Sequence, residues 1–138
     1  MIAYLDTSAL LRLVLREPGA LDLLLSCEAL VSSELLTVES LRTIDRLRVQ
    51  GALSTEEAAA RRRVVTEWLE AVDLVLLQRR VLARASEPFP VALGTLDAVH
   101  LATALLWRER TNKPLVMATH DASLALGARS FGLEVMGA

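Results

Sequence analysis

Apolar residues along this chain come in two alternating patterns. Short continuous runs occur at Ile2-Ala3-Tyr4-Leu5, Ala29-Leu30-Val31-Ser32, Val72-Asp73-Leu74-Val75-Leu76, Pro114-Leu115-Val116-Met117-Ala118 and Leu133-Glu134-Val135-Met136. Each reads as a buried strand, with turn or helix signals on either side. Between them the spacing is helical. Leu10, Leu11, Leu13, Val14 and Leu15 open a helix that Pro18-Gly19 interrupts, and a second helix is expected over about residues 19 to 27. From Glu34 to about Gln50, Leu35, Val38, Leu41, Ile44 and Leu47 mark the face a helix would bury, and Gly51 ends the pattern. Ser54-Thr55-Glu56-Glu57 is a capping box for a helix continuing through Trp68 and Leu69, so the pair forms a helical hairpin. A helix containing Val81, Leu82 and Ala85 stops before Pro88-Phe89-Pro90, and Thr95 is placed to cap another that runs to about Arg110. Asp121 opens a last short helix, closed between Gly127 and Gly132.

Strand followed by helix, repeated, predicts an α/β fold. Parallel strands need crossover connections, usually helical, so the expected architecture is a three-layer α/β/α arrangement around a mostly parallel sheet of about five short strands. With 138 residues, short connections and no internal repeat, the chain is expected to be one domain over residues 1–138.

Composition narrows the chemistry. Hydrophobic residues make up 53% of the chain and aromatics only 4%, so the core must be packed from branched and small side chains. Cys27 is the sole cysteine, which excludes an internal disulfide and a thiol-based zinc site and suits a reducing cytoplasm. The first residues lack a basic leader followed by an apolar stretch, and charges interrupt later apolar runs, so neither export nor membrane insertion is expected. The formal charge is -2, so bulk attraction to phosphates is not the organising force. Arginines cluster at Arg42, Arg46 and Arg48, at Arg61 to Arg63, and at Arg79 and Arg80. Most are read as solvated helix faces paired to acidic neighbours, with a subset free to grip a phosphate backbone.

Four acids carry the candidate chemistry. Asp6 follows the first strand and Asp121 the strand at 114 to 118, which puts both at the carboxyl edge of one sheet, where open α/β sheets bind ligands. Glu39 lies about one and a half turns into its helix and Asp97 in the first turn of the helix from Thr95, and both can reach that edge. Helix capping is the competing explanation for Asp6, Asp97 and Asp121. Thr7, Ser8, Thr95 and Thr119 already offer neutral caps beside them, and Glu39 lies near the apolar side of its helix, where an unpaired carboxylate is costly. Converging carboxylates repel one another and retain protons unless a cation neutralises them. Oxygen donors alone select hard ions, Mg²⁺ or Mn²⁺, which suit phosphodiester hydrolysis by a metal-activated water.

These residues also carry a resemblance. Tyr4-Leu5-Asp6-Thr7-Ser8-Ala9-Leu10, Ser33 through Leu41, Thr95-Leu96-Asp97-Ala98-Val99-His100-Leu101-Ala102-Thr103-Ala104, and Ala118-Thr119-His120-Asp121 with Ala128 and Gly132 resemble the PIN-domain ribonucleases. The resemblance spans nearly the whole chain and is closest to the toxin subunits of VapBC toxin–antitoxin modules. It implies a flanked parallel sheet, Mg²⁺ or Mn²⁺ dependence, endonucleolytic cleavage of RNA, homodimerisation, and inhibition by a VapB-like antitoxin. The catalytic and metal positions of the family fall on Asp6, Glu39, Asp97 and Asp121, and its supporting hydroxyls on Ser8 and Thr119. Ser123 and Leu124 stand where some relatives carry a further acid, which bears on the ligands for a second metal.

Other residues receive blander readings. His100 is assigned a structural role, His120 a solvent-facing loop position, Glu34 an exposed cap, and Trp68 and Trp107 packing rather than base stacking. The antitoxin is expected on apolar grooves of the first helices and the hairpin at 34 to 70, with an Arg reaching the acids. Two rival functions remain. A phosphotransferase of the haloacid dehalogenase type also places an Asp after the first strand, but it needs a second Asp two residues on, where Ser8 stands, and a Lys, for which Lys113 is the sole candidate. A catalytically idle adaptor would keep the fold and ignore metal.

Overall fold

The computed structural model describes residues 1–138. Five strands form one sheet: β1 (Ile2–Leu5), β2 (Ala29–Ser33), β3 (Val72–Val75), β4 (Val116–Ala118) and β5 (Glu134–Met136). Their order is β3-β2-β1-β4-β5 and every neighbouring pair is parallel. Six helices cover it: α1 (Thr7–Val14), α2 (Leu35–Val49), α3 (Thr55–Ala71), α4 (Arg79–Ala85), α5 (Thr95–Thr111) and α6 (Ala122–Ser130). The α/β three-layer expectation holds.

Handedness decides which helix covers which face. The chain steps outward from β1 to β2 to β3, then returns to the far side of β1 for β4 and β5. Right-handed crossovers put helices of the outward path on one face and those of the return path on the other. Alternate strand residues follow. Ala3, Leu5 and Leu30 pack with Leu10 and Val14 of α1, Leu36 and Ile44 of α2 and Val65 of α3. Tyr4, Val31 and Met117 point the opposite way, onto Leu101, Leu105 and Trp107 of α5 and Leu124 and Ala128 of α6. The path reverses between β1 and β4, so the crevice beyond their carboxyl ends is the sheet's switch point.

Three elements depart from the pattern. In place of a helix over residues 19 to 27 there is one 3₁₀ turn, Asp22–Ser26, in which Leu24 is buried while Leu23 and Leu25 are exposed. A single inward position does not anchor a longer amphipathic helix. In α2 the buried residues are Leu36, Ser40 and Ile44, every fourth position, and Val38 is 59% exposed. Ser40 can occupy a core position because its hydroxyl donates to the Leu36 carbonyl. Nor does Thr95 cap α5; the N-cap is Gly94, with no side-chain bond. The capping box at Ser54 and Glu57 forms as read. No helix is long and apolar enough to cross a membrane.

Helix α5 is buried along much of its length, including Ala98 through Leu105 and Trp107, and it carries Asp97 at its start. Fully buried Leu101 also meets α6, its Cδ2 lying 3.1 Å from the point where a Cβ on Gly127 would sit. Leu101→Ala should therefore open a cavity and cost about 3 kcal/mol, read as a lower urea midpoint at unchanged slope.

Candidate active site

Asp6 comes directly after β1, and its N–H continues the ladder to the Ala118 carbonyl of β4 at 3.0 Å. It is 4% exposed. Its Oδ2 accepts from the Ser8 hydroxyl at 2.6 Å and the Thr119 hydroxyl at 2.8 Å. Those two hydroxyls are themselves fixed: Ser8 Oγ accepts from the His120 N–H at 2.9 Å and Thr119 Oγ1 from the Asp121 N–H at 3.0 Å. The loops after β1 and β4 are thus tied across the switch point by hydroxyls that all converge on one carboxylate oxygen. Oδ1 has no hydroxyl donor; His100 Nε2 is 3.7 Å from it.

Asp121 is the N-cap of α6, where its Oδ1 accepts from the Leu124 N–H at 2.8 Å, and Asp6 is the N-cap of α1. The two acids cap their helices even though threonine and serine neighbours were available, because those neighbours are spent on Asp6 and on the loop after β4. Capping and a place at the switch point coexist here.

Asp97 is different. It is the third residue of α5, half-exposed, and takes no part in the cap. Burial, then the charges of Asp121 and Asp6, push its carboxyl up to about 6, and the charge of Glu39 adds to this while His100 opposes it. Asp6, Glu39 and Asp121 therefore all lie within electrostatic reach of Asp97. As placed, no three of them surround one point closely enough to ligate an ion.

Glu39 accounts for part of this. Its Oε1 accepts from His100 Nε2 at 2.6 Å and from the Thr7 hydroxyl at 2.9 Å. Burial raises the Glu39 carboxyl, but the His100 bond, the His100 charge and the Thr7 bond outweigh it and hold the group below the ordinary range. His100 is 1% exposed and its Nδ1 lies 2.8 Å from the Tyr4 hydroxyl. Burial lowers the imidazole, while the Glu39 bond and the charges of Asp6, Glu39 and Asp97 raise it further than burial lowers it. Burial followed by the Asp6 charge pushes the Tyr4 phenol far up, so it stays neutral.

Tyr4, Thr7 and His100 were therefore missed as parts of the site. The available signals were a lone tyrosine in an otherwise aliphatic strand and a histidine one helical turn after Asp97. His120 also departs from a solvent-facing position: Nδ1 donates to the Gly137 carbonyl at 3.0 Å and Nε2 is buried without a partner. Glu34 serves neither the pocket nor its own helix end; Oε2 accepts from the Leu77 N–H at 2.8 Å. Trp107 is core, and Trp68 packs against the opposite cluster. Among the arginines, Arg42 and Arg48 close on Asp45 and Arg61 acts on Glu57 through its charge, whereas Arg62, Arg63, Arg79 and Arg80 close on no acidic side chain, so the paired reading fails for those four.

Lys113 lies beside Met1, Ile2, Glu28 and Pro114, at the amino edge of the sheet. The phosphotransferase alternative needs a lysine at the carboxyl edge, and none is there.

Residues 3–125 match the family model described as PIN domain. Over 134 residues the chain is 31% identical to Ribonuclease VapC46 of Mycobacterium tuberculosis, a span covering 96% of this chain and 95% of that protein. With an all-parallel sheet, acids at its switch point and matches of this extent, the chain belongs to the PIN-domain family.

Proposed function

We propose that the chain is a metal-dependent endoribonuclease, the toxin of a toxin–antitoxin module, acting in the cytoplasm as one nuclease domain over residues 1–138. The observation that carries this reading is the placement of Asp6 and Asp121 at the sheet's switch point, Asp6 held by the Ser8 and Thr119 hydroxyls and Asp121 by the Leu124 N–H, with Asp97 within reach of both charges. Its proposed catalytic groups are Asp6, Glu39, Asp97 and Asp121, with Ser8 and Thr119 orienting Asp6. The likeness to a protein named as a ribonuclease supports RNA as the substrate.

A hard divalent cation, Mg²⁺ with Mn²⁺ able to substitute, fits the donor set, because only oxygens converge and their repulsion has no basic residue but His100 to offset it. Asp6, Asp97 and Asp121 would hold it. When bound, such an ion supplies a more acidic water and neutralises charge on the phosphodiester. The protein's share is positional. Ser8 and Thr119 lock Asp6 Oδ2, the Leu124 N–H locks Asp121 Oδ1, and the buried body of α5 fixes the backbone from which Asp97 extends.

Val38 next to Glu39 and Leu96 next to Asp97 are 59% and 49% exposed, which supports an apolar antitoxin segment lying across the mouth of the site with an Arg to the acids. Exposed Leu76, Leu77 and Leu82 support a homodimer as part of the same proposal.

Incubation of the purified protein with RNA and Mg²⁺ should give fragments without 2′,3′-cyclic phosphate ends, since water rather than the ribose hydroxyl attacks. EDTA should stop cleavage and excess Mg²⁺ should restore it. Cleavage undiminished by EDTA, or phosphate release from a monoester with RNA left intact, would refute the reading.

A further inference from the structure

A cleft of about 360 Å³ leads away from the acids between α1 and α2, large enough for a small ligand. Ser8, Leu11, Arg12 and Leu15 line it along α1 and its C-cap, and Thr43 and Leu47 line it from α2. Spacings of three and four put each set on one helix face, so the cleft follows α1 for about 10 Å. Both lines start at the site: Ser8 holds Asp6, and Glu39 stands one turn before Thr43. His120 and Asp121 close the end nearest the acids. Half-buried Leu11, Leu15 and Leu47 make its walls apolar.

Beyond Asp121, the charged groups of the cleft are Arg12 and Glu17, and neither closes on a charged partner. Arg12 Nη1 donates to the Pro18 carbonyl at 3.3 Å, which leaves the other donors of its guanidinium free. Gly19, at φ +79°, lets the loop pass this close, since a Cβ there would lie 3.1 Å from Nη1. Arg16 takes a left-handed φ of 56°, and the Glu17 N–H bonds the Arg12 carbonyl at 2.9 Å. That turn folds the chain back over the end of α1 and brings Glu17 to the cleft.

We propose that this cleft is a base-binding subsite, which takes an unpaired guanine of the RNA beside the scissile phosphate and reads it with Arg12 and Glu17. This rests on the ribonuclease reading above and deepens it. Apolar walls suit the faces of a flat ring, and the charged groups select its edges. A guanidinium only donates and a carboxylate only accepts. Guanine presents two neighbouring acceptors, O6 and N7, to the one and two neighbouring donors, N1–H and the 2-amino group, to the other. No other RNA base offers a carboxylate two adjacent N–H donors. The edge that Glu17 reads is occupied in a duplex, so the guanine must be single-stranded. A phosphate in the cleft would meet the charges of Glu17 and Asp121, and an aliphatic protein side chain would leave Arg12 and Glu17 unused.

Fluorescence anisotropy on the full chain carrying Asp97→Asn, which leaves RNA uncut, tests this without reference to turnover. The probes are labelled nine-residue oligouridines whose central nucleoside is uridine, adenosine, inosine or guanosine. The guanosine probe should bind at least about tenfold tighter than the uridine and adenosine probes. Inosine lacks the 2-amino group and should fall between them. Adding Glu17→Gln should bring the guanosine and inosine probes within about twofold of each other. Adding Arg12→Lys, which keeps the charge but not the fork, should hold the affinity for the uridine probe within about twofold while most of the preference for guanosine is lost. Glu17 is exposed, so its variant decides the matter even if the Arg12 variant fails to fold by circular dichroism. Equal affinity for all four probes, binding of none, or a guanosine preference unaltered by Glu17→Gln overturns the subsite and leaves the cleft to a protein segment. In the otherwise wild-type chain with Mg²⁺, cuts in a mixed-sequence RNA should stand at one fixed offset from guanosine, and Glu17→Gln should scatter them. No cleavage by a chain that still prefers the guanosine probe refutes the parent reading alone, so the two failures are distinct.

Discussion

Asp97→Asn is expected to reduce RNA cleavage by roughly a thousandfold at neutral pH, about 4 kcal/mol of transition-state stabilisation, while the protein stays folded. The substitution is nearly isosteric and removes one negative charge. Among the four acids it is the cleanest to change. Asp6→Asn would unsettle two hydroxyl bonds on Oδ2, Asp121→Asn alters the cap of α6, and Glu39→Gln disturbs the bond from His100. Asp97 caps nothing, since Gly94 holds that position. In the metal-free protein its charge is opposed by burial and by Asp121 and Asp6, so Asn should leave the thermal midpoint unchanged or slightly higher. Loss of cleavage with an intact or raised midpoint excludes unfolding as the cause. Cleavage within a few fold of wild type would remove Asp97 from the site.

The sheet was legible because each strand is a short apolar run between turn signals, and because strand–helix alternation leaves few parallel arrangements to choose among. A mostly parallel sheet followed from that; the strand order and its reversal between β1 and β4 are set by packing the sequence pattern does not encode. Where a helix contacts more than one neighbour, the pattern misled. In α2 the apolar positions at 35, 36, 38, 41 and 44 spread around the helix, and tertiary packing selected the line through Leu36, Ser40 and Ile44, a line with a serine in it. No hydropathy pattern identifies a serine as core when its hydroxyl is satisfied by its own helix.

The placement of three of the acids was legible for a related reason: Asp6 and Asp121 follow strands and Asp97 lies in the first turn of α5, so their positions along the sheet edge are fixed locally, whereas Glu39 sits inside α2. Their partners were not. Tyr4 and His100 are 96 positions apart, and Thr7 and Glu39 are 32 apart. Nothing local says that a tyrosine on an inward strand face will meet a histidine on the helix above it. Nor do the neutral residues beside the acids take the caps. Ser8 and Thr119 are engaged at Asp6, which leaves Asp6 and Asp121 to cap their own helices. A carboxylate at a helix start can serve both purposes, and the sequence alone offers no way to separate them.

The second large effect is in the pH dependence, and its sign differs between the metal-bound and metal-free protein. In the proposed site cation binding requires Asp97 ionised, and burial with the charges of Asp121 and Asp6 pushes its carboxyl up to about 6. Mn²⁺ affinity and cleavage should therefore be level above about pH 7 and fall up to about tenfold per unit below pH 6, as a proton competes with the ion. Stability of the metal-free fold runs the other way. A carboxyl raised in the folded state contributes most below its unfolded value and loses that contribution as pH rises through about 6. His100 adds in the same direction, because its imidazole is also raised, through the Glu39 bond and the charges of Asp6, Glu39 and Asp97 acting against burial. Half-exposed Asp97 is screened by water, so its share is about 1 kcal/mol rather than the full shift. The EDTA-treated protein should accordingly melt at a lower temperature at pH 7.5 than at pH 5.5, and saturating Mg²⁺ should raise the midpoint at pH 7.5 far more than at pH 5.5. In Asp97→Asn both the acid-side fall in Mn²⁺ affinity and most of the Mg²⁺-dependent rise should vanish together. A wild-type affinity profile that stays flat from pH 8 to pH 5 would mean that Asp97 is not among the groups the cation displaces protons from.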